Sequence, residues 1–372
     1  MKEYVVECEK LRNNIELIKK RADGRIIYAV VKANGYGLGL LPLTRFLRDY
    51  GIDHFAVTEP SSALRLRMAG FIDEEILIMR PLPTEAEILD LIEARAVATV
   101  GSYDAAVLLN GLAEKRSELV DAHVKIDTGL GRYGFLPTEF DRIQAVFRYM
   151  PKIRVTGLFT HFSSAFSNKK KTRAQMDALF AVADKLRAAG QNPGCVHAAN
   201  SSYLFRHSLE GTDAVRIGSA FTGRLPLGAN HGLERVGYAR ASVAEIRWLA
   251  PGQTVGYGDA YTVRHPTRVA IIPLGYFDGF NVSRERDVFR FRDKARYLLS
   301  DAKDMLRSRR LYLSIKGRRA PVLGHIGMLN TIADVTDIHC EIGDEAIFEM
   351  SPLFANPLLE RVYLEGNDVK KT

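Results

Sequence analysis

The stretch Ala29-Val30-Val31-Lys32-Ala33-Asn34-Gly35-Tyr36-Gly37 ends an apolar β-run with one lysine, directly before a glycine-rich turn. A lysine that is withdrawn from water has a lowered pKa, and its neutral amine can form an imine with a carbonyl group. An imine of this kind is the usual anchor of pyridoxal phosphate. Strands ending in lysine also occur without any cofactor. The other polar residues of the chain must therefore decide whether Lys32 carries one.

Around this stretch, from residue 1 to about 232, β-like runs alternate with segments whose apolar residues recur at helical spacing. Eight β-like runs occur, at 25–31, 54–57, 75–79, 96–100, 120–126, 153–160, 194–198 and 214–218. The helical segments between them include 59–70, 84–94, 103–115 and 170–190. Eight β/α repeats are what a (β/α)8 TIM barrel requires, so the sequence predicts an α/β protein with this barrel over residues 1–232.

From residue 233 the pattern changes to short β-rich runs separated by glycine and proline. These runs lie at 242–249, 267–275, 311–317, 321–327, 331–337 and 344–350. They predict a separate C-terminal all-β domain over residues 233–372. A charged segment around 283–310 interrupts this domain, and we interpret it as a solvated helical insertion.

The overall composition is that of a globular protein, with 372 residues of which 47% are hydrophobic and 26% are charged. No signal peptide is evident, and no apolar run approaches the ~20 residues of a membrane-spanning helix. Cys8, Cys195 and Cys340 are too few and too scattered for a disulfide framework or a Cys-rich metal site. We therefore expect a cytoplasmic protein with no metal site and no membrane partner.

The net charge of +8 raises the question of nucleic-acid binding. Most of this charge falls between Arg284 and Arg310, where ten Lys and Arg stand against five Asp and Glu. The remainder of the chain is nearly balanced, so nucleic acid is not the partner we expect. Binding of nucleic acid or of another anionic surface through this segment stays open as the alternative.

Polar residues that can carry chemistry follow several of the predicted barrel strands, where the active sites of such barrels lie. They are Lys32 after the first run, Lys125, Asp127 and Arg132 after the fifth, His161 after the sixth, Asn200 and Ser201 after the seventh, and Arg216, Gly218 and Ser219 after the eighth. The loops after strands seven and eight usually bind phosphate, which suits their small residues. Taken singly, each residue also has a structural interpretation, such as a helix cap for Ser201 or a core imidazole for His161.

Together these residues lie in seven motifs that resemble the alanine racemase family in order and spacing, over about residues 5–350. The motifs are 32–37, 125–135, 160–162, 197–201, 215–218, 255–258 and 273–279. The resemblance implies a fold-type III pyridoxal phosphate enzyme that interconverts L-alanine and D-alanine and so supplies D-alanine for peptidoglycan. It also implies a homodimer in which each active site is shared between the subunits.

Racemisation removes the Cα proton on one face of the substrate and returns a proton on the other, which two bases achieve. By resemblance, Lys32 serves the D-face and Tyr257 of the second subunit serves the L-face. His161 matches the family's partner for that tyrosine and is linked in turn to Arg216. As a permanent cation, Arg216 would donate to the pyridine nitrogen without protonating it, which indicates a racemase rather than a decarboxylase.

The resemblance assigns the remaining site residues as well. Tyr36, Asn200, Ser201, Gly218 and Ser219 match contacts to the cofactor. Arg132 and the backbone N–H of Met328 match contacts to the substrate carboxylate, and Tyr276 matches a tyrosine that narrows the entrance. Lys125 matches a position that is sometimes carbamylated and then braces the arginine.

The chain departs from the family pattern at four places. Gly327-Met328-Leu329 replaces Cys-Met-Asp, and residues 356–361 offer no equivalent of a further phosphate-binding tyrosine. The segment 283–310 is longer than usual. Arg80 stands where glycine is expected, and could either brace that segment or contact the substrate.

These departures leave two alternatives to an alanine racemase. A racemase of another or broader range, acting on serine or basic amino acids, is suggested by Gly327 and Leu329. A non-catalytic pyridoxal phosphate-binding protein would be expected to have lost its second base, but Tyr257 is present.

Overall fold

The computed structural model describes residues 1–285, 291–306, 310–366 and 368–369. These residues form two compact units. One unit is Cys8–Val236, and the other consists of the first strand, β1 (Lys2–Glu7), and the described residues from Gly237 onwards.

The unit Cys8–Val236 is built on eight parallel strands, which confirms the predicted TIM barrel. The strands are β2 (Ile26–Val30), β3 (His54–Val57), β4 (Glu75–Ile78), β5 (Ala98–Val100), β6 (Val120–Lys125), β7 (Ile153–Phe159), β8 (Cys195–Asn200) and β9 (Ala214–Ile217). They pair in the order β4-β3-β2-β9-β8-β7-β6-β5. Val97 joins the two edge strands, since its N–H donates to Ile76 over 2.8 Å and its carbonyl accepts from Ile78 over 2.9 Å.

Helices precede and connect the barrel strands. They are Cys8–Ala22, Leu40–Asp49, Pro60–Met68, Glu85–Glu93, Tyr103–Lys115, Phe140–Tyr149, Lys169–Ala188 and the single turn Ser201–Leu204, followed by the 3-10 turn Ser219–Thr222. Each predicted helical segment coincides with one of these helices. The helix Tyr103–Lys115 begins where the Ser102 side chain accepts a hydrogen bond from the Ala105 N–H, which satisfies a donor that the helix itself cannot pair.

The second unit is mostly strand, as predicted. Its strands after β1 are β10 (Tyr238–Ser242), β11 (Glu245–Leu249), β12 (Thr254–Val255), β13 (Tyr261–Thr262), β14 (Thr267–Ile272), β15 (Tyr312–Ile315), β16 (Arg318–Pro321), β17 (Thr331–Asp334), β18 (Glu345–Phe348), β19 (Glu360–Glu365) and β20 (Asp368–Val369). They form a seven-stranded sheet in the order β16-β15-β18-β10-β1-β19-β20, a three-stranded sheet β11-β14-β17 and the pair β12-β13. Short 3-10 turns lie at Tyr257–Asp259, Tyr276–Asp278 and Pro352–Phe354.

The charged segment contains the helix Phe291–Leu306. Residues 286–290 and 307–309 of that segment lie outside the described residues. Among the helices that the structure describes, none has the length and apolar character needed to cross a bilayer.

The structure differs from the sequence-based organisation of the C-terminal unit at two places. The predicted boundary at residue 232 assigns residues 1–7 to the barrel, whereas β1 pairs with β10 antiparallel and with β19 in parallel. The predicted strand at 321–327 is wrong beyond Pro321. There, Gly324 has φ +67°, a left-handed conformation that interrupts an extended strand.

Candidate active site

A cavity of about 840 Å³ lies where the barrel strands end. Ten residues predicted from the sequence line it together: Lys32, Tyr36, Lys125, Arg132, His161, Asn200, Ser201, Arg216, Gly218 and Ser219. The carboxyl ends of the barrel strands therefore gather into one site the residues that the sequence scatters over nearly two hundred positions.

The turn after β2 has an unusual backbone. Ala33, Asn34, Gly35 and Tyr36 all have φ between +51° and +62°, so the chain makes one left-handed turn directly after Lys32. This conformation costs about 1–2 kcal/mol for each residue that is not glycine. The Asn34 side chain stabilises the turn by accepting from the Leu40 N–H over 2.9 Å.

The left-handed turn leads to a close contact between Tyr36 and Gly218. A Cβ atom at Gly218 would lie 2.6 Å from the Tyr36 hydroxyl oxygen, so only glycine admits the ring at this distance. Ser201 Oγ accepts hydrogen bonds from the N–H groups of Gly218 (3.2 Å) and Ala220 (3.4 Å). Small residues and backbone N–H groups therefore line this side of the cavity, as in sites that bind phosphate.

The helix cap suggested for Ser201 is formed by its neighbour Asn200 instead. The Asn200 side-chain oxygen, and not Ser201, caps the turn Ser201–Leu204 by accepting from the Tyr203 N–H over 3.0 Å. Asn200 is the last residue of β8, whereas the Ser201 hydroxyl faces the loop after β9.

Arg216 lies inside β9 rather than after it, and it is buried. Its guanidinium donates to the Thr160 carbonyl (2.6 Å), the Ala198 carbonyl (3.2 Å), the His197 carbonyl (3.2 Å) and His197 Nδ1 (2.6 Å). Burial lowers the pKa of Arg216 to about 10, so it remains a cation at neutral pH.

These bonds correct one expectation about His161. The family resemblance implies a link from His161 to Arg216, but all four hydrogen bonds described for Arg216 go to other groups, and the imidazole that it contacts is His197. His161 lines the cavity instead. Burial, followed by the charge of Arg216, lowers the pKa of His161 well below that of free histidine, so its ring is neutral at physiological pH.

A relay of neutral imidazoles continues from Arg216 into the barrel. The guanidinium can only donate, so His197 Nδ1 must accept and the ring hydrogen must lie on Nε2. His197 Nε2 then donates to His123 Nδ1 over 3.0 Å. Gly157 makes room for His123, because a Cβ atom there would lie 2.5 Å from the imidazole Cδ2.

Sequence reasoning missed both histidines as parts of the site. His123 stands two residues before Lys125 on β6, so both side chains face the barrel interior. This spacing is the signal that could have identified it. His197 lies in a recognised motif, but its contact with Arg216 depends on the pairing of β8 with β9.

The cavity is strongly cationic. Lys32, Arg80, Lys125, Arg132 and Arg216 line it, against the single carboxylate of Glu59. Burial lowers the pKa of Lys32, and the charge of Arg132 lowers it further. Burial likewise lowers the pKa of Lys125 to about 7, with contributions from Arg216 and Arg132.

Asp127 shapes the loop that carries Arg132. Its carboxylate accepts hydrogen bonds from four successive backbone N–H groups, those of residues 129–132, over 2.8–3.1 Å. Burial raises the pKa of Asp127, but these bonds outweigh burial, and the pKa is lowered overall. Because the Asp127 carboxylate is bonded to the loop and does not line the cavity, it does not neutralise the cations there.

Arg80 is held by two carboxylates. Its Nη2 lies 2.6 Å from Glu59 and 2.5 Å from Glu87. These pairs hold the guanidinium between Glu59, which directly precedes the helix Pro60–Met68, and Glu87 of the helix Glu85–Glu93.

Three further predicted residues, Tyr257, Met328 and Tyr276, lie in the C-terminal unit. Tyr257 and Met328 line a second recess, of about 510 Å³, together with the departures Gly327 and Leu329. Tyr257 is 78% exposed. Tyr276 is adjacent to this recess, since its N–H donates to the Gly327 carbonyl over 3.1 Å. The structure therefore groups the predicted residues into two sets, one in each unit.

The barrel, its cationic cavity and the β-rich second unit define the chain as a two-domain α/β-barrel enzyme. Models of the N-terminal and C-terminal domains of alanine racemase match residues 6–226 and 236–352. The chain belongs to the alanine racemase family and is therefore an isomerase.

Known proteins agree with this assignment. An alanine racemase of Methylacidiphilum infernorum is 31% identical over 346 residues, which cover 92% of this chain and 81% of that protein. A solved alanine racemase of Clostridium difficile 630 has a TM-score of 0.86 at 26% identity and covers 100% of this chain and 97% of its own. The structure of a Bartonella henselae alanine racemase with covalently bound pyridoxal phosphate shares the fold, with a TM-score of 0.78 at 22% identity and coverage of 98% and 99%.

Proposed function

We propose that this chain is a pyridoxal phosphate-dependent racemase that interconverts L-alanine and D-alanine with two bases, Lys32 and Tyr257. The observation that carries the proposal is a lysine of lowered pKa at the end of a barrel strand, inside a cationic cavity. A lowered pKa supplies the neutral amine that attacks a carbonyl. The name of the Bartonella henselae relative supports the same cofactor.

The residues of the cavity suit pyridoxal phosphate on three grounds. Lys32 offers a nucleophilic amine for the aldehyde. The Ser201 hydroxyl, which accepts from the Gly218 and Ala220 N–H groups, can donate its own hydrogen to the phosphate, beside the hydroxyl of Tyr36 and the residues Asn200, Gly218 and Ser219. Arg216 offers a buried cation that donates without giving up its proton, which suits an unprotonated ring nitrogen.

When bound, pyridoxal phosphate supplies a conjugated ring that accepts electron density as the substrate Cα–H bond breaks. The residues of the chain then move the proton. For L-alanine, the Tyr257 phenolate takes the Cα proton, and the Lys32 ammonium returns a proton to Cα on the other side. For D-alanine the two exchange roles, with Lys32 as base and Tyr257 as acid.

Charged and neutral groups prepare these two bases. Tyrosine has an ordinary pKa near 10, so its phenolate needs stabilisation at neutral pH. A neutral His161 can donate a hydrogen bond to that phenolate without competing for the proton. Arg132 binds the substrate carboxylate, a role for which the planar guanidinium is suited, and the Met328 N–H assists it beside the entrance residue Tyr276.

The two bases belong to different units, and we propose that they meet in a homodimer whose subunits share each active site. The exposure of Tyr257 supports this arrangement, since a general base works only where its surroundings position it. We further propose that the enzyme is cytoplasmic and that its D-alanine supplies peptidoglycan.

A racemisation assay with added pyridoxal phosphate tests the proposal. We expect turnover of L- and D-alanine in both directions, and losses of at least about 100-fold for both Lys32→Ala and Tyr257→Phe. Tyr312→Phe, an exposed tyrosine on β15, is the matched control and should retain wild-type activity. Cofactor absorbance without turnover would contradict the proposal and favour a binding protein.

One observation supports an alternative range of substrates, namely serine or basic amino acids. Glu59 places a carboxylate on the cavity wall, and it has Arg80 as its ion-pair partner. Leu329 replaces the family's acidic residue in the other recess. Parallel assays with serine, lysine and arginine decide the range, since faster turnover of one of them than of alanine would move the substrate assignment.

A further inference from the structure

The helix Phe291–Leu306 presents an apolar face to solvent. Phe291 is 82% exposed, Leu298 is 73% exposed and Leu299 is 69% exposed. At about 100° per residue these positions fall on one side of the helix, together with Ala295 and Ala302. Three large apolar side chains in one exposed stripe are more than the scattered hydrophobic residues of an ordinary surface.

Charges are arranged around this face. Lys294 and Arg296 lie on its two flanks, whereas Asp293 lies on the opposite side, 3.8 Å from Arg296. Asp301 shares the flank of Lys294. Over the whole stretch from Arg284 to Arg310, ten basic residues outnumber five acidic ones.

The hairpin that follows the helix adds to the positive charge. Lys316, Arg318 and Arg319 are exposed at the turn between β15 and β16. Lys316 is paired with Asp344 over 2.9 Å, and Arg319 stacks on Tyr312 at 4.1 Å. Arg318 has no described partner, so the hairpin offers at least one uncommitted cation among the residues that the structure describes.

We propose that the helix Phe291–Leu306 binds the surface of an anionic lipid bilayer. A helix that lies in the interface buries an apolar face among the acyl chains, while flanking lysine and arginine reach the phosphate groups. The expectation of no membrane partner rests on the lack of a spanning helix, and a helix lying on the surface needs no such length.

Two other occupants fit the observations less well. Nucleic acid accounts for the positive charge, but its binding draws on cations and stacking aromatics and gives leucine side chains no role. A second copy of the chain carries the same net charge of +8, so it offers the flanking cations no net negative surface. An anionic bilayer satisfies the charge and the apolar face together.

The test is flotation of the full chain with vesicles of equal parts phosphatidylglycerol and phosphatidylcholine, compared with vesicles of phosphatidylcholine alone. We expect binding to the anionic vesicles, weakened by added salt, and little binding to the neutral ones. Leu299→Asp should lower the bound fraction roughly ten-fold, because one buried leucine is worth about that factor. Ser300→Asp makes the same charge change on the opposite side of the helix and should lower it less than about two-fold.

Thermal unfolding of both variants should match the wild type, since both positions are exposed. The proposal is overturned if the wild type does not bind anionic vesicles, or if Leu299→Asp and Ser300→Asp weaken binding equally. It is also overturned if Leu299→Asp dissociates an oligomer of the chain while vesicle binding is absent. Binding to duplex DNA without vesicle binding would assign the segment to nucleic acid instead.

Discussion

Lys125 is a cation buried among other cations. Its pKa of about 7 follows from burial and then from the charges of Arg216 and Arg132. The amine is therefore neutral in about half of the molecules near neutral pH, in contrast to an exposed lysine. A neutral amine reacts with carbon dioxide, and the resulting carbamate carries a negative charge that would pair with Arg132.

We predict that Lys125 becomes carbamylated and that the extent rises with pH. In ¹³C-bicarbonate at fixed concentration, the carbamate signal should grow several-fold between about pH 6 and pH 8, because the neutral fraction grows through the lowered pKa. Carbon-13 NMR measures it. Lys125→Arg is the control, since arginine stays protonated, and a signal that persists in this variant would place the carbamate elsewhere.

A second prediction follows from the close contact of Tyr36 with Gly218, where one added methyl group would clash. Gly218→Ala should lower the affinity for pyridoxal phosphate at least about ten-fold, because the added methyl displaces the Tyr36 ring from the cofactor side. Absorbance titration of the protein with the cofactor measures this. Gly228→Ala, where a Cβ atom meets nothing within 4 Å, is the matched control and should bind like the wild type.

At the scale of the strands, β6 and β8 carry the imidazole relay behind Arg216. Burial lowers the pKa of His123 to about 3, and burial also lowers that of His197 well below its usual value. In the unfolded chain both would titrate near 6.5. The unfolded state therefore binds more protons as the pH falls below about 6.5, and the folded state loses stability.

We predict that His123→Asn flattens this pH dependence. Each such histidine makes the free energy of unfolding fall by up to about 1.4 kcal/mol per pH unit between its two pKa values, so removing one lowers the slope by that amount. Urea unfolding at about pH 7 and pH 5 measures the slope. His231→Asn is the control, because it lies in the same unit at a positive φ that asparagine tolerates, and an equal change in both variants would contradict the assignment.

Much of the barrel could be predicted because each of its strands has a local signal in the sequence. Apolar runs bounded by amphipathic helices reproduce all eight strands to within about two residues at each end. The first strand, β1, could not be found in this way. Its partners, β10 and β19, lie more than two hundred residues further along the chain, so no nearby residue signals the pairing.

The residues that line the cavity could also be predicted from the sequence. Residues at strand ends converge because parallel strands of a barrel share one face, and ten of them line one cavity. The partner of Arg216 was not predictable. Whether it bonds to His161 or to His197 depends on side-chain directions at a register shift between β8 and β9, which the sequence does not reveal.

At the scale of the whole molecule, the predicted site residues form two sets, one in each unit. The barrel holds Lys32 in its cavity, and the second unit exposes Tyr257 beside its own recess. If subunits of a homodimer share each site, the two bases of one site come from different chains. Two inactive variants, each lacking one base, should then restore activity to one another.

The most direct test is to co-express Lys32→Ala and Tyr257→Phe chains with different tags and to assay alanine racemisation in the mixed dimer. One site of each mixed dimer combines an intact Lys32 with an intact Tyr257, and random pairing makes half of the dimers mixed. We predict recovery of up to about a quarter of wild-type activity in the unseparated mixture, and of up to about half in purified mixed dimers, from two variants that are each inactive alone. No recovery in purified mixed dimers would contradict a racemase site shared between subunits.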